Sequence, residues 1–157
     1  MFKNMKLGVK VLSGFIALTV ISAALGIIGT VNIRTIDDAD TFLYQKVTLP
    51  IEYVGVITTN FNRIRVNVVN TARTNNQQQL EAYKNSIMGY DKVIKEHFEL
   101  YKKTYIDEND KKLFEAFMET YNKYMSLYDK AFNLATSGNL DEVLLMVNGE
   151  MKDVGFE

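Results

Sequence analysis

The sequence predicts an all-α protein in which one transmembrane helix precedes an up-down-up-down antiparallel four-helix bundle whose fourth helix is truncated. Three observations predict this class. The 157 residues include one proline, nine glycines and no cysteine, a composition that favours long helices over a turn-rich all-β fold. A run of 23 uncharged residues lies near the N-terminus. Beyond it, apolar residues recur at every third or fourth position.

The composition also excludes several classes of function. Without cysteine there is no disulfide framework, zinc ribbon or thiolate nucleophile. The 18 basic and 19 acidic residues leave a formal net charge of −1, which provides no global positive field for nucleic acid. The sequence contains no glycine-rich phosphate loop, nucleophile elbow or paired carboxylates. We therefore expect no catalytic residues, no cofactor and no nucleic-acid partner.

The uncharged run, residues 11–33, predicts a transmembrane helix that follows a cytoplasmic tip of residues 1–10. A helix of this length measures about 35 Å, more than the roughly 30 Å of a hydrocarbon core. A cleavable signal peptide is one alternative, because Ser22-Ala23-Ala24 imitates a cleavage site, yet apolar sequence continues to Ile33. A buried helix of a soluble protein is the other, although so short a chain provides little core around it.

The charges that flank this run predict its orientation. Three lysines precede it with no acidic residue among them, and three aspartates follow Arg34: Lys3, Lys6 and Lys10 on one side, Asp37, Asp38 and Asp40 on the other. The positive-inside rule places the N-terminus in the cytoplasm and the residues after about 34 outside the membrane. The external domain, residues 34–157, then carries a net charge of about −4.

The first bundle helix is expected to run from residue 34 to about residue 73. Pro50 interrupts its apolar period, so we expect a kink near Thr48–Pro50. The polar string at residues 74–79 predicts the turn that ends this helix.

The second and third bundle helices carry the clearest apolar seams. The second has 3-4 spacing through Leu80, Tyr83, Ile87, Tyr90, Ile94, His97 and Tyr101. The third repeats it with Phe114, Phe117, Tyr121, Tyr124, Tyr128, Ala131 and Ala135. This spacing is typical of an antiparallel bundle, so we interpret the aromatic and methionine stripes as core rather than as a haem or aromatic-ligand pocket. Asp107 or Asp110 is the expected cap of the third helix.

Gly138 predicts the end of the third helix, and Asn139 with Glu142 resembles a capping box that starts the fourth. One side of the fourth helix is expected to carry Leu140, Val143, Leu144, Val147, Met151 and Val154. Only about 19 residues remain for it, against about 28 in each of the two helices before it, so it would stop short of the membrane. We therefore expect a fragment of a longer protein; a short anchored protein with a ragged fourth helix is the alternative.

Four local stretches carry a resemblance to a known family. They are Tyr44-Gln45-Lys46-Val47-Thr48-Leu49-Pro50, the arginine-bearing segment Asn62–Arg73, Ser137-Gly138-Asn139-Leu140-Asp141-Glu142, and Asn148-Gly149-Glu150. Together with the basic tip and the anchor, they make residues 1–157 similar to the four-helix-bundle sensor domain of bacterial methyl-accepting chemotaxis receptors. The same module occurs in histidine kinases and cyclic-dinucleotide enzymes, and a membrane-anchored interaction bundle without signalling output is a further alternative.

The resemblance implies a homodimer, single-pass in this fragment, in the bacterial plasma (inner) membrane. Its bundle would detect an unknown small-molecule ligand or a periplasmic binding partner. The signal would cross the lipid bilayer as a small displacement of helix four relative to helix one. A second membrane helix, a HAMP linker and a coiled coil that reaches a cytoplasmic kinase through an adaptor would belong to the longer receptor.

The resemblance also implies candidate ligand-binding residues. In the amino-acid receptors of the family, arginines on helix one meet the ligand carboxylate. Arg65 matches the first of them by its Arg-Val-Asn context, Asn70 stands in place of the next, and Arg73 is one residue out of step. Arg63 belongs to the same segment, and Asn148 falls where helix four contributes a polar residue. A solvated face is the alternative interpretation of the arginines.

His97 is the only histidine. Histidine phosphotransfer domains are also four-helix bundles, but His97 occupies a seam position and would lie outside the cell. Neither Glu-x-x-His nor His-Glu-x-x-His occurs in the sequence, so we expect no metal site. We interpret His97 as a packed core histidine.

Overall fold

The computed structural model describes residues 6–155, which contain helices and turns but no strand. The helices are α1 (Leu7–Leu43), α2 (Leu49–Thr71), α3 (Gln77–Tyr101), α4 (Glu108–Thr136), α5 (Leu140–Asn148) and α6 (Glu150–Val154). A π-helical turn covers Tyr44–Thr48, and a 3-10 turn covers Lys102–Thr104. The chain divides into two units between Tyr44 and Gln45. The predicted all-α class is confirmed.

The first unit contains α1, which has no buried residue. One helical stretch in the described part of the chain, near the N-terminus, contains an 18-residue window with a mean hydropathy of 2.4 and none of its residues buried. Large apolar side chains are exposed all along α1; Phe15, Ile21 and Ile28 are more than half exposed. Length and apolar composition therefore suit α1 for crossing a bilayer. The sequence-based boundaries at residues 10 and 33 stay predictions.

The second unit is the bundle. Helix α2 packs along α3, α3 packs on α4, and α5 and α6 pack back on α4, with further contacts from α2 to α4 and α5. The core consists of the buried faces of these helices, with fully buried residues such as Ile64, Leu80, Ile87, Ile94 and Val143. The predicted seam of α4 is buried except for Phe117, which is 39% exposed. In the predicted seam of α3 the aliphatic residues are buried, whereas four members are only half-buried: Tyr83, Tyr90, His97 and Tyr101.

The irregularity predicted near Thr48–Pro50 is confirmed, in the form of the π-helical turn directly before α2. Pro50 occupies the first turn of α2 and is buried there. A proline ring clashes with the carbonyl four residues earlier, and a π-turn widens the backbone at that place. Lys46, inside the π-turn, donates a hydrogen bond from Nζ to the Tyr105 carbonyl at 3.1 Å.

The predicted start of α4 is confirmed, and the predicted start of α3 is shifted. Asp107 caps α4 as predicted, because its Oδ1 accepts the Asp110 N–H at 2.8 Å. The turn expected over residues 74–79 is shorter, since Asn76 caps α3 by accepting the Gln79 N–H at 3.1 Å. The cap starts the helix at Gln77, so the three glutamines form its first turn.

The capping box predicted at Asn139 and Glu142 is wrong. Gly138 ends α4 with a φ of +82°, as predicted, and the Asn139 N–H closes α4 by donating to the Leu134 carbonyl at 3.0 Å. Asn139 itself has φ −85° and ψ 56° and makes no side-chain cap bond. An N-cap residue needs an extended backbone to aim its side chain at the first turn, and this ψ is too small for that.

The single fourth helix predicted from the apolar stripe is also wrong. Helices α5 and α6 are separated at Gly149, whose φ of −106° and ψ of −107° lie outside the helical region. A Cβ at this position would lie 3.0 Å from the Leu145 carbonyl oxygen, a tight contact, so the break favours glycine. Of the predicted stripe, Val143, Met151 and Val154 are buried, whereas Leu144 is 37% exposed.

A polar contact that the apolar period did not reveal joins α3 to α4. Tyr121 is buried, and its hydroxyl donates to Asp91 Oδ1 at 2.7 Å. Asp91 Oδ2 accepts a second bond from Lys95 Nζ at 2.8 Å. Burial and the neighbouring carboxylate both raise the pKa of Tyr121, so the phenol stays a donor.

His97 is packed as predicted, but it is half-buried rather than part of the core. Its Nδ1 lies 2.8 Å from the Val93 carbonyl, and its ring meets the Tyr53 ring edge-on at a centroid distance of 6.0 Å. Among the residues that the structure describes, no cluster of three or more His, Cys, Asp or Glu side chains could hold a metal ion.

Replacing Gly138 with alanine should lower the free energy of unfolding of the bundle by about 1 kcal/mol, because an L-residue is strained at positive φ. Gly89→Ala is the matched control, since Gly89 lies within α3 with nothing within 4 Å of an added Cβ. That change should instead stabilise the bundle by about 0.5–1 kcal/mol. Chemical denaturation followed by circular dichroism measures both, and equal effects of the two substitutions would contradict the assigned conformations.

Candidate ligand site

Two concave surfaces of the bundle contain most of the predicted site residues. The first, of about 390 Å³, lies along the outer side of α2 and is lined by Asn62, Arg65, Val66, Val69, Asn70 and Arg73. The second, of about 190 Å³, is lined by residues of α2, α4, α5 and α6 and is called the α2–α6 cavity below: Arg65, Val69, Tyr124, Val147, Asn148, Met151 and Lys152. Arg65 and Val69 belong to both surfaces.

The structure brings four of the five predicted residues together through Arg65. Arg65, Asn70 and Arg73 line the α2 surface, and Arg65 and Asn148 line the α2–α6 cavity. Arg65 and Arg73 are eight positions apart, about two helical turns, and Asn70 is three before Arg73, so the three share one side of α2, whereas Asn148 reaches Arg65 through the packing of α5 on α2. Arg65 is half-buried, whereas Arg73 and Asn148 are exposed.

Arg63 does not belong to this site. It lies two positions before Arg65, about 200° around the helix, and is exposed. Its guanidinium carbon lies 5.6 Å from the centroid of the Tyr90 ring on α3, within the range of a cation–π contact. Its position indicates a packing role at the α2–α3 seam rather than a ligand-binding role.

Glycine permits the close approach of the end of α6 to the cavity. A Cβ placed at Gly155 would lie 3.3 Å from Cε2 of Tyr124 and 3.6 Å from Nε of Arg65. The Gly149 break precedes α6, and Asn148 stands directly before it. Asn148 and Lys152, on either side of the Gly149 break, both line the cavity with Arg65.

Sequence reasoning missed Tyr124 and Lys152. Tyr124 was assigned to the α4 core stripe, and it is indeed only 4% exposed, with its ring 5.0 Å from that of Phe61. Its position against Arg65 depends on the packing of α4 on α2, which no local pattern encodes. Lys152 lies four positions after Asn148, so the helical repeat already places the two on one face, and this spacing was the signal that could have identified it.

Burial raises the pKa of Tyr124 to about 12, and the nearby Arg65 cation partly opposes this rise. The phenol therefore keeps its proton at neutral pH and can donate a hydrogen bond into the cavity. With the cationic groups of Arg65 and Lys152 and the amide of Asn148, the cavity offers hydrogen-bond donors to an anion.

Raising the pH above 10 should destabilise the bundle in part through Tyr124. In the unfolded chain a tyrosine ionises near its ordinary pKa of 10, but in the folded state Tyr124 keeps its proton to about pH 12. Its stabilising contribution is therefore complete below pH 10 and is lost between pH 10 and 12, by up to about 2 kcal/mol. Denaturation at stepwise pH should show a smaller alkaline loss for Tyr124→Phe than for the parent protein; equal losses would contradict the assigned burial.

Comparison with protein-family models gives one match. The model described as "four helix bundle sensory module for signal transduction" matches residues 4–154, a range that includes the apolar helix α1 as well as the bundle. The comparison with curated proteins found no match. The comparison with solved structures also found none. The chain belongs to the family of four-helix-bundle sensory modules for signal transduction, and its role is sensory.

Proposed function

We propose that the chain is the membrane-anchored sensory region of a bacterial methyl-accepting chemotaxis receptor. The family match over residues 4–154 carries this proposal, because it joins an apolar helix and a sensory bundle in one module. In the proposed topology the N-terminus is cytoplasmic, α1 crosses the plasma membrane, and the bundle lies outside. The chain would act as a homodimer and would reach the cytoplasmic kinase and its adaptor through other parts of the receptor.

The features of α1 support the anchoring role. Its apolar side chains are exposed throughout the central part of the helix. So large an exposed apolar surface is unfavourable in water and indicates contact with lipid or with another protein. Basic residues precede the run and acidic residues follow it, as the positive-inside rule requires for the proposed orientation.

The divided fourth helix supports a sensing mechanism. Helix α6 has five residues and is separated from α5 at Gly149, so it can shift as a small unit on α4. A ligand in the α2–α6 cavity would contact α2 on one side and α5 and α6 on the other. Binding would therefore favour one of two packings of α6 against α2, and the difference in affinity between these packings would set the size of the signal.

Labelling of single cysteines tests the topology. The protein has no cysteine, so each introduced thiol is unique. In intact cells with a permeable outer membrane, a membrane-impermeant maleimide should label Asn75→Cys, in the exposed α2–α3 turn. Lys6→Cys, at the exposed start of the described chain, is the matched control and should react only after lysis. Labelling of Lys6→Cys but not of Asn75→Cys in intact cells would contradict the proposed orientation and indicate the opposite one.

Deletion of the gene in its own bacterium tests the signalling output. The deletion should abolish the chemotactic response to at least one soluble compound, and reintroduction of the gene should restore it. Intact chemotaxis together with the loss of a transcriptional response would instead favour a histidine kinase. Loss of a response controlled by a cyclic dinucleotide would favour an enzyme of that class, and no change of any response would favour an interaction bundle.

A further inference from the structure

A third concave surface is formed by α2, the last residue of α3 and the first turns of α4, and is called the aromatic cavity below. Its volume is about 280 Å³. Among the described residues, none that lines it also lines either of the two surfaces with the predicted site residues. The aromatic cavity is therefore a separate place where a ligand can bind.

Asp110 is the charged residue among the described residues that line this cavity. It is half-buried; its Oδ1 accepts the Tyr101 hydroxyl at 2.9 Å, and its Oδ2 accepts the Ile106 N–H at 3.1 Å. Burial and the neighbouring Asp110 carboxylate raise the pKa of Tyr101 to about 12, so both donors are neutral. They orient the carboxylate without neutralising its charge, and each oxygen keeps a lone pair for a further donor.

Two lysines adjacent in sequence to cavity residues pair with other carboxylates. Lys102 pairs with Glu99, and Lys111 Nζ lies 3.6 Å from Glu108 Oε1. Neither lysine lines the aromatic cavity. A ligand can therefore supply the cation that faces Asp110.

The other walls of the cavity are aromatic and aliphatic. The Phe114 ring stacks on the Tyr101 ring at a centroid distance of 3.9 Å, and the Phe117 ring lies 6.0 Å from that of Phe114. Phe117, a predicted core residue, is 39% exposed, and Val54 and Leu113 are more exposed still. Such a surface removes hydrocarbon from water, and its aromatic rings also attract cations. Beside a carboxylate, it suits a ligand with one cationic group and a hydrocarbon body.

Size and charge narrow the class of cation. At roughly the 30 Å³ of a liquid water molecule for each non-hydrogen atom, the cavity holds about nine such atoms, the size of phenethylamine. A divalent metal ion fits poorly, because it requires several oxygen ligands and the described lining residues include one carboxylate. An α-amino acid also fits poorly, since its own carboxylate would approach either Asp110 or the apolar walls.

We infer that the aromatic cavity binds an arylalkyl amine that has no carboxylate. The ammonium group donates to Asp110, and the hydrocarbon body packs against Leu113 and Phe117. Tyr101 is a positioning residue, because it holds the Asp110 carboxylate through its hydroxyl. This site goes beyond the proposed function, since it adds a second ligand class at a place separate from the α2–α6 cavity. The bound amine contacts both α2, at Val54, and α4.

Isothermal titration of the full 157-residue chain in nanodiscs of zwitterionic lipid tests this inference, with titration of empty nanodiscs subtracted. Phenethylamine and 2-phenylethanol are the matched probes, because they differ only in whether the chain ends in an ammonium or a hydroxyl group. Small ligands of this size bind weakly, so both are titrated to about 10 mM. Phenethylamine should bind about tenfold more tightly than the alcohol, as expected for one charge-assisted hydrogen bond. Equal dissociation constants, or no binding of either probe, would overturn the assigned ligand class.

Two substitutions test the residues of the cavity. Asp110→Asn removes the charge but keeps an oxygen that can accept the Tyr101 hydrogen bond, and it should weaken phenethylamine binding about tenfold. Leu113→Ser changes a side chain that is 65% exposed, so the bundle core is untouched, and it should weaken binding about threefold. The second variant keeps the site testable if the first does not fold.

Glu119→Gln is the control, because it removes the same charge from an exposed position of α4 outside the cavity. At about 0.15 M salt it should change the dissociation constant of phenethylamine by less than about twofold. An equal weakening in Glu119→Gln and Asp110→Asn would indicate a general effect of charge and would overturn the site. An unchanged constant in folded Asp110→Asn would do the same.

Failure at the aromatic cavity is distinguishable from failure of the proposed function. The cysteine labelling and the deletion phenotype are measured without reference to an amine. If the labelling places the bundle in the cytoplasm, the proposed function fails, while the titration still reports on the aromatic cavity.

Discussion

Replacing Ile87 with alanine should lower the free energy of unfolding of the bundle by about 3 kcal/mol, the largest effect we expect from a single substitution. Ile87 is fully buried at the centre of the α3 seam, so the change removes three methyl or methylene groups and leaves a cavity in the core. The bundle is small, and a loss of this size is a large fraction of the stability of a domain. Chemical denaturation followed by helical circular dichroism measures it.

Met88→Ala is the matched control for this prediction. Met88 is the next residue on α3, carries a side chain of similar size and is 58% exposed. Its truncation should change the free energy of unfolding by less than about 0.5 kcal/mol. Similar losses in the two variants would mean that α3 is rotated relative to the assigned seam.

Replacement of both Val20 and Ile21 with arginine should prevent stable insertion of α1 into the membrane. Each residue lies near the middle of the uncharged run and is more than half exposed, so the change removes no buried side chain. An arginine at the centre of a transmembrane helix costs about 2.5–3.5 kcal/mol on insertion scales, and the two together should exceed the margin of a single helix. Carbonate extraction of membranes followed by immunoblotting measures the inserted fraction.

The control for this pair is the double substitution Thr35→Arg with Ile36→Arg. These residues are also exposed on α1, but they lie beyond Arg34, where the proposed membrane has ended. This variant should remain in the carbonate-resistant fraction. If the Val20 and Ile21 variant is retained equally well, α1 does not cross the bilayer in the proposed register.

The success of the sequence-based predictions differs from helix to helix. The sequence predicts α3 and α4 well because their seams repeat over several turns and because Asp107 and Gly138 are local start and stop signals for α4. The fourth helix was predicted poorly. Its apolar stripe passes through Gly149 without a change of period, so the break there could not be read from periodicity.

The candidate site was only partly predictable. Arg65, Asn70, Arg73 and Asn148 were named by resemblance, and the structure places them on two adjoining surfaces. Arg63 was named for the same reason but faces Tyr90 on α3. Tyr124 was missed because it belongs to a core stripe, whereas Lys152 could have been found from its position four residues after Asn148.

The helical class, the apolar helix α1, the strong seams and most helix ends follow from the amino-acid sequence alone. These features depend on interactions within a few residues, namely the helical repeat, the capping side chains and the backbone freedom of glycine. The contact of Arg63 with Tyr90, the break of the fourth helix at Gly149, and the cavity shared by Arg65, Tyr124 and Lys152 are seen only in the folded protein. These depend on how α2, α3, α4 and α6 pack, and packing joins residues far apart in the chain.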